Sequence, residues 1–253
     1  MVITVTTMPM TEDALASPAR SSGSRALGAG GETQPADGNA ALLRLLSWLS
    51  PSFPVGAFAF SHGLENAIRV RQISDADTLY DWVGTLLQHG SGWNDLVLFA
   101  EAHAATGDPA RLQEVADLAV ALGGSRERRL ETLALGAAFI AASAPWREDG
   151  TELPDAPYPV AVGRLAAAEG VPLLPALTAF AYGFAATLVT AATRLVPLGQ
   201  GDMVRVTKRL EPVILEAAAR AESSTLDDLG SAAILSEIAA MRHETMETRL
   251  FRS

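Results

Sequence analysis

The stretch GVPLLPALTAFAYGFAATLVTAAT, Gly170 to Thr193, has no charged residue and is long enough to cross a bilayer. Its reading decides the fold. Pro172, Pro175 and Gly183 interrupt it, Ala and Thr outnumber Leu, Ile and Phe, and no Lys/Arg cluster flanks it to set a topology. A helix apolar on all sides at the centre of a helical protein has the same composition. The segment is therefore expected to be a central buried helix, not a membrane span.

The sequence on both sides supports a helical class. Leu42, Leu45, Leu46 and Leu49 follow i, i+3, i+4, i+7 spacing behind Asn39, an expected N-cap. Leu79, Trp82, Val83, Leu86 and Leu87 repeat it behind Ser74 and Asp75, and Gly90-Ser91-Gly92 ends the run. Asn94 is expected to open a helix through His103. Asp108-Pro109 caps the next, which Gly123-Gly124 stops, and Ser125 starts another to about Ser143. Pro145 to Pro159 reads as a polar loop, with helices resuming near Val160 and Pro172. Pro212 should kink the segment from Gln200 to Ala221, and Ile234, Leu235, Ile238 and Met241 mark a last helix. Alternation of the strand kind is confined to Val2–Val5. The expectation is an all-α fold of roughly eight to ten helices. It comprises one domain over 39–253 behind a disordered Ser/Gly/Pro-rich arm over 1–38.

Composition narrows the function. The 253 residues are 49% apolar, with 19 Lys and Arg against 29 Asp and Glu, a net charge of −10. That balance argues against a nucleic-acid partner. With no cysteine, thiolate metal sites, disulfides and cysteine nucleophiles are excluded. The N-terminus has neither a basic nor an apolar signal region, and a cytoplasmic location is expected. No phosphate-binding glycine loop occurs. The four histidines (His62, His89, His103, His243) show no HxxxH pair, leaving His243-Glu244 as a weak candidate for a metal ion.

Ala59-Phe60-Ser61-His62-Gly63 resembles a nucleophile elbow, with Asp202 or Asp227 and His243 in the order a serine hydrolase requires. Such an elbow needs a parallel sheet, which the sequence does not provide. The plainer reading has Ser61 capping a helix. Ser125 to Glu131 (Ser-Arg-Glu-Arg-Arg-Leu-Glu) is read as a solvated, charged helix face carrying Glu127, Arg129 and Glu131. The corner Arg194-Leu195-x-Pro197-Leu198-Gly199-Gln200 is expected to use Pro197 to end the long helix and Gly199 to turn, offering Gln200 to a partner. The C-terminus, Arg242 to Ser253, closes on Leu250-Phe251 between Arg249 and Arg252. Two apolar anchors are too few to offset the entropy of twelve ordered residues, so this tail is expected to be loose until a partner holds it.

Four blocks together resemble the UreF family of urease accessory proteins. They are Ser50-Pro51-x-x-Pro54-x-Gly56-x-Phe58-x-x-Ser61-x-Gly63-Leu64-Glu65; Glu127-x-Arg129-x-Glu131 followed by Gly136; Ala192-x-Arg194-Leu195-x-Pro197-Leu198-Gly199-Gln200; and Met241-Arg242-His243-Glu244 with the closing Arg249-Leu250-Phe251-x-Ser253. Val204 and Met246-Glu247-Thr248 depart from the family pattern, which has Gln and Gln-Tyr-Ser there. The resemblance implies an all-α, dimerising protein without catalytic residues or a resident cofactor. It implies a complex with UreD (also called UreH) and the GTPase UreG on the urease apoprotein. There the protein would bridge its partners, modulate GTP hydrolysis and assist nickel insertion. An acidic helical adaptor unrelated to urease is the remaining alternative.

Overall fold

The computed structural model describes residues 37–147 and 154–252. The expected arm up to residue 36, the Val2–Val5 alternation, the middle of the Pro145–Pro159 loop and Ser253 lie outside the described residues. Ten α-helices and no strand occur among the described residues: α1 Gly38–Trp48, α2 Leu64–Arg69, α3 Ala76–His89, α4 Ser91–Ala104, α5 Pro109–Ala121, α6 Arg126–Ala142, α7 Tyr158–Ala168, α8 Leu173–Thr193, α9 Gln200–Glu222 and α10 Ile234–His243. The fold is all-α, as the periodicity predicts.

Several boundaries are set by the expected caps. Asp75 accepts the Thr78 amide at 2.9 Å, and Thr78 returns a bond to the Asp75 amide. Asp108 accepts the amides of Ala110 and Arg111, both at 3.1 Å, with Pro109 at the first helical position. Ser125 accepts Arg128 N–H at 3.1 Å. Two caps differ. Asp37, not Asn39, holds the cap position of α1 and makes no side-chain bond there. Asn94 opens nothing: α4 starts at Ser91, and the buried Asn94 side chain accepts the Gly230 amide at 2.9 Å, tying in the loop before α10. α9 runs unbroken through Pro212, whose exposed position lets water reach the Lys208 carbonyl that proline cannot bond.

α4 is the hub. Leu96, Val97, Leu98, Phe99 and Ala102 are buried on it, and it packs against α3, α5, α7, α8 and α9. The charge-free helix α8 lays Ala176, Leu177, Phe180, Ala181, Ala185, Leu188 and Val189 inward. By length and composition α8 is the one helix among the described residues able to cross a membrane. The sequence reading expected it to be buried all round, and it is not. Leu174, Tyr182 and Thr190 are exposed on its outer side, as are Leu42, Leu43 and Leu46 on the neighbouring α1. A core helix with one open face carries the same composition as a fully buried one.

Two glycines fix close approaches. A Cβ on Gly136 would stand 1.9 Å from the Ala156 carbonyl oxygen, so α6 meets the segment leading into α7 backbone to backbone. Gly63 combines a left-handed φ of +76° with a Cβ position 2.6 Å from the Ala240 amide nitrogen, which seats α10 directly on the start of α2. His62 beside it is also left-handed, at φ 52°.

Candidate functional site

The seat made at Gly63 brings distant parts of the chain together. α2, α6, α10 and the C-terminal segment meet around His243, which is 0% exposed. His243 Nδ1 lies 2.7 Å from Glu127 Oε2, and Nε2 lies 3.1 Å from Glu65 Oε2. Arg249 pairs with the other oxygen of Glu127. Glu65 also accepts the amides of Leu250 at 2.8 Å and Phe251 at 3.0 Å. Glu244 turns to the N-terminal end of α6, where it accepts the Arg126 amide at 2.7 Å. The Arg252 amide donates to the Ala59 carbonyl at 2.7 Å.

This overturns the loose tail. Phe251 is 4% exposed, and Arg194 lies over its ring, 5.4 Å from the centroid. Arg242 and His243 are still helix. The expectation weighed apolar anchors alone and left out two buried carboxylates that grip main-chain and guanidinium N–H groups. Leu250 points the other way, 71% exposed. The tail presents one apolar side chain to solvent while its own domain holds its neighbours.

One turn further along α6 is a second polar cluster. Arg128 Nη1 donates to Glu131 Oε2 at 2.6 Å, and its Nη2 lies 3.7 Å from Asp95. His62 Nε2 lies 2.8 Å from Glu131 Oε1 and also 3.0 Å from Arg128 Nη1. One nitrogen cannot donate to the first and accept from the second. Burial, with Arg128 adding to it, lowers the His62 pKa, so the ring is neutral and Nε2–H goes to Glu131. Burial alone would raise Glu131, but Arg128 and His62 together outweigh it and bring the pKa to about 2. Asp95, with its longer contact to Arg128, is pushed up by burial to about 6.

The charged run is therefore no solvated face. Glu127 and Glu131 are buried, Arg128 is mostly covered, and Arg126 and Arg129 alone of its charges reach solvent. The signal lay in the spacing: Glu127, Glu131, Leu135 and Phe139 are an i, i+4 line, and its apolar half marks it as inward. His62, Arg128 and Asp95 are site residues that sequence reasoning did not assemble.

A groove of about 240 Å³ opens from this cluster. His62, Asp95, Arg128 and Glu131 line it together with Ser50, Pro51, Gly56, Phe58, residues of α8 and Arg194. Exposed Phe58 and Tyr182 stand at its rim.

The remaining expected positions fall elsewhere. Pro197, Gly199 and Gln200 form an exposed corner, but α8 ends at Thr193, before Pro197, and Gly199 has an ordinary extended backbone, φ −72°. Asp202 closes that corner by accepting the Gly199 amide at 3.0 Å. Ser61 is fully buried and accepts the Glu65 amide at 3.4 Å, but Gly63, not Ser61, holds the cap position of α2; no strand lies beneath it among the described residues, so the hydrolase reading falls. Both nitrogens of His243 face carboxylates, and no group of three or more His, Asp or Glu placed to hold an ion occurs among the described residues.

The sequence profile of the UreF family matches residues 73–211. A urease accessory protein UreF from Agrobacterium fabrum (strain C58 / ATCC 33970) is 53% identical over 218 residues, which is 85% of this chain and 98% of the relative. One from Rhizobium leguminosarum bv. trifolii (strain WSM2304) is 53% identical over 215 residues, 84% and 96% of the two chains. Urease accessory protein UreF 1 of Brucella suis biovar 1 (strain 1330) is 49% identical over 219 residues, 86% and 96%.

Proposed function

Since the chain belongs to the UreF family of urease accessory proteins, we propose that it acts in urease maturation as a scaffold without turnover of its own. It bridges UreD/UreH and the GTPase UreG on the urease apoprotein, influences GTP hydrolysis by UreG, and helps nickel reach the urease active site. Nickel is cargo of the complex and no resident cofactor of this chain. The cytoplasm is the compartment we assign.

The observation that carries this reading is the tail: a segment locked by buried carboxylates, with Leu250 exposed. Ordering entropy is already met before a partner arrives, so an apolar pocket that takes Leu250 gains most of its burial energy, on the order of 1.5–3 kcal/mol. Exposed Ile234, Leu235 and Met241 on α10 extend the apolar surface for UreD. The open side of α1 and α8 supports a homodimer. Co-expression with the urease operon tests the assignment. Deleting Arg249 to Ser253, or changing Leu250→Glu, should leave a helical, soluble protein that no longer co-purifies UreD and yields nickel-poor urease. Full activation by both variants would refute it.

A further inference from the structure

Two carboxylates line the groove, and they are served unequally. Glu131 has Arg128 at 2.6 Å and the His62 ring at 2.8 Å. Asp95 has only the other arm of Arg128, at 3.7 Å, beyond hydrogen-bonding distance. Glu131 already balances the guanidinium, so one negative charge is left over at Asp95. Arg194, the other guanidinium of the lining, stands over the Phe251 ring and is not among the charges that shift Asp95. Burial lifts Asp95 to about 6, as befits an acid short of donors. An acid kept where it costs folding stability implies something that arrives to pair it.

The rest of the lining describes the occupant. Phe53, Phe58, Tyr158, Phe180, Tyr182 and Phe184 all border the groove, and aromatic faces attract cations. Its volume of about 240 Å³ falls short of the roughly 300–1,000 Å³ of a drug-sized ligand site and suits one long side chain. Lysine and arginine both bring the charge. Arginine adds a flat face that stacks on rings, a fork that can serve both oxygens of Asp95, and weaker hydration to shed. We propose that the groove is the receptor for an arginine side chain of a partner protein, with its guanidinium on Asp95 and its stem covered by the aromatic lining. Exposed Phe58 and Tyr182 meet it first. The inference is independent of the role in urease maturation, because it concerns the groove and is tested on the isolated chain.

The test is an NMR titration of the ¹⁵N-labelled full chain with N-acetyl-arginine amide at about pH 7.5, where Asp95 is ionised. Saturable shifts should centre on the amides around Asp95, Arg128 and Tyr182. The citrulline analogue, alike in shape but uncharged, should bind at least about tenfold more weakly, and the lysine analogue about threefold more weakly. Asp95→Asn should lose about tenfold for the arginine probe and little for the citrulline one. No saturation, shifts elsewhere, equal binding of either analogue, or undiminished affinity in Asp95→Asn would overturn the proposal. So would agmatine or free arginine binding about tenfold more tightly than the peptide-flanked form, which would make the groove a metabolite site. The comparison of arginine with citrulline on the wild-type chain decides it even where the variant fails to fold.

Discussion

Glu131 and Asp95 stand on either side of Arg128 and titrate in opposite senses. Glu131, held down at about 2 from an ordinary 4.5, stabilises the fold above its unfolded value and loses that contribution as pH falls through about 4.5 towards 2. Asp95, raised to about 6 from 3.8, binds a proton more tightly folded than unfolded, so its contribution declines as pH climbs across that window. Urea unfolding of Asp95→Asn should therefore lack the decline between about 4 and 6, and the variant should be more stable than wild type at pH 7 by up to about 3 kcal/mol. Glu131→Gln should do the reverse, losing roughly 3–5 kcal/mol at pH 7 by leaving Arg128 buried without its carboxylate, and flattening the acid limb. Equal stability of Glu131→Gln and wild type at pH 7 would mean the pair is not desolvated in solution.

Helix–helix seats make the next level testable. Gly136→Ala places a methyl against the Ala156 carbonyl, an atom that cannot step aside, and should cost more than about 3 kcal/mol in thermal or urea unfolding. Gly63→Ala adds a left-handed backbone penalty to a clash with α10, and should unseat α10 and expose the tail to protease before the whole domain melts. At this scale the sequence was readable where the physics is local. Caps at Asp75, Asp108 and Ser125 sit within three residues of the amides they hold, and the apolar stripe of α3 needs no tertiary context. It was unreadable where a charged side chain fills a core position. Glu127 looks like a solvent residue until His243, 116 positions beyond it, is brought against it, and Glu131 does so until His62 closes on it. The Glu65 grip on Leu250 spans 185 positions and has no local trace. Nothing in the composition of α8 tells which of its faces stays open.

For the whole molecule, each of the four sequence blocks that carry the family resemblance sends at least one residue to the same constellation, while Pro197, Gly199 and Gln200 stay at a separate corner. Glu65, Glu127, Arg194 and the His243-to-Phe251 stretch each contribute to holding the tail, while Ser50, Pro51 and Phe58 border the adjoining groove. Leu250→Asp should change folding stability by no more than about 0.5 kcal/mol, since the residue is 71% exposed. The same change should abolish UreD capture in a pull-down. Sedimentation of Leu42→Glu/Leu46→Glu should show a monomer where wild type sediments as a dimer, if α1 and α8 form the contact between copies. What the domain grips in the tail is mostly peptide amide, at Leu250, Phe251 and Arg252, and an amide is the same in nineteen of the twenty amino acids. Arg249 and Phe251 set the register, and position 250 is left free of any duty to the fold. Lock and address are thus written in different letters: recoding residue 250 alone would redirect the same scaffold to a different pocket without loosening the strap that presents it.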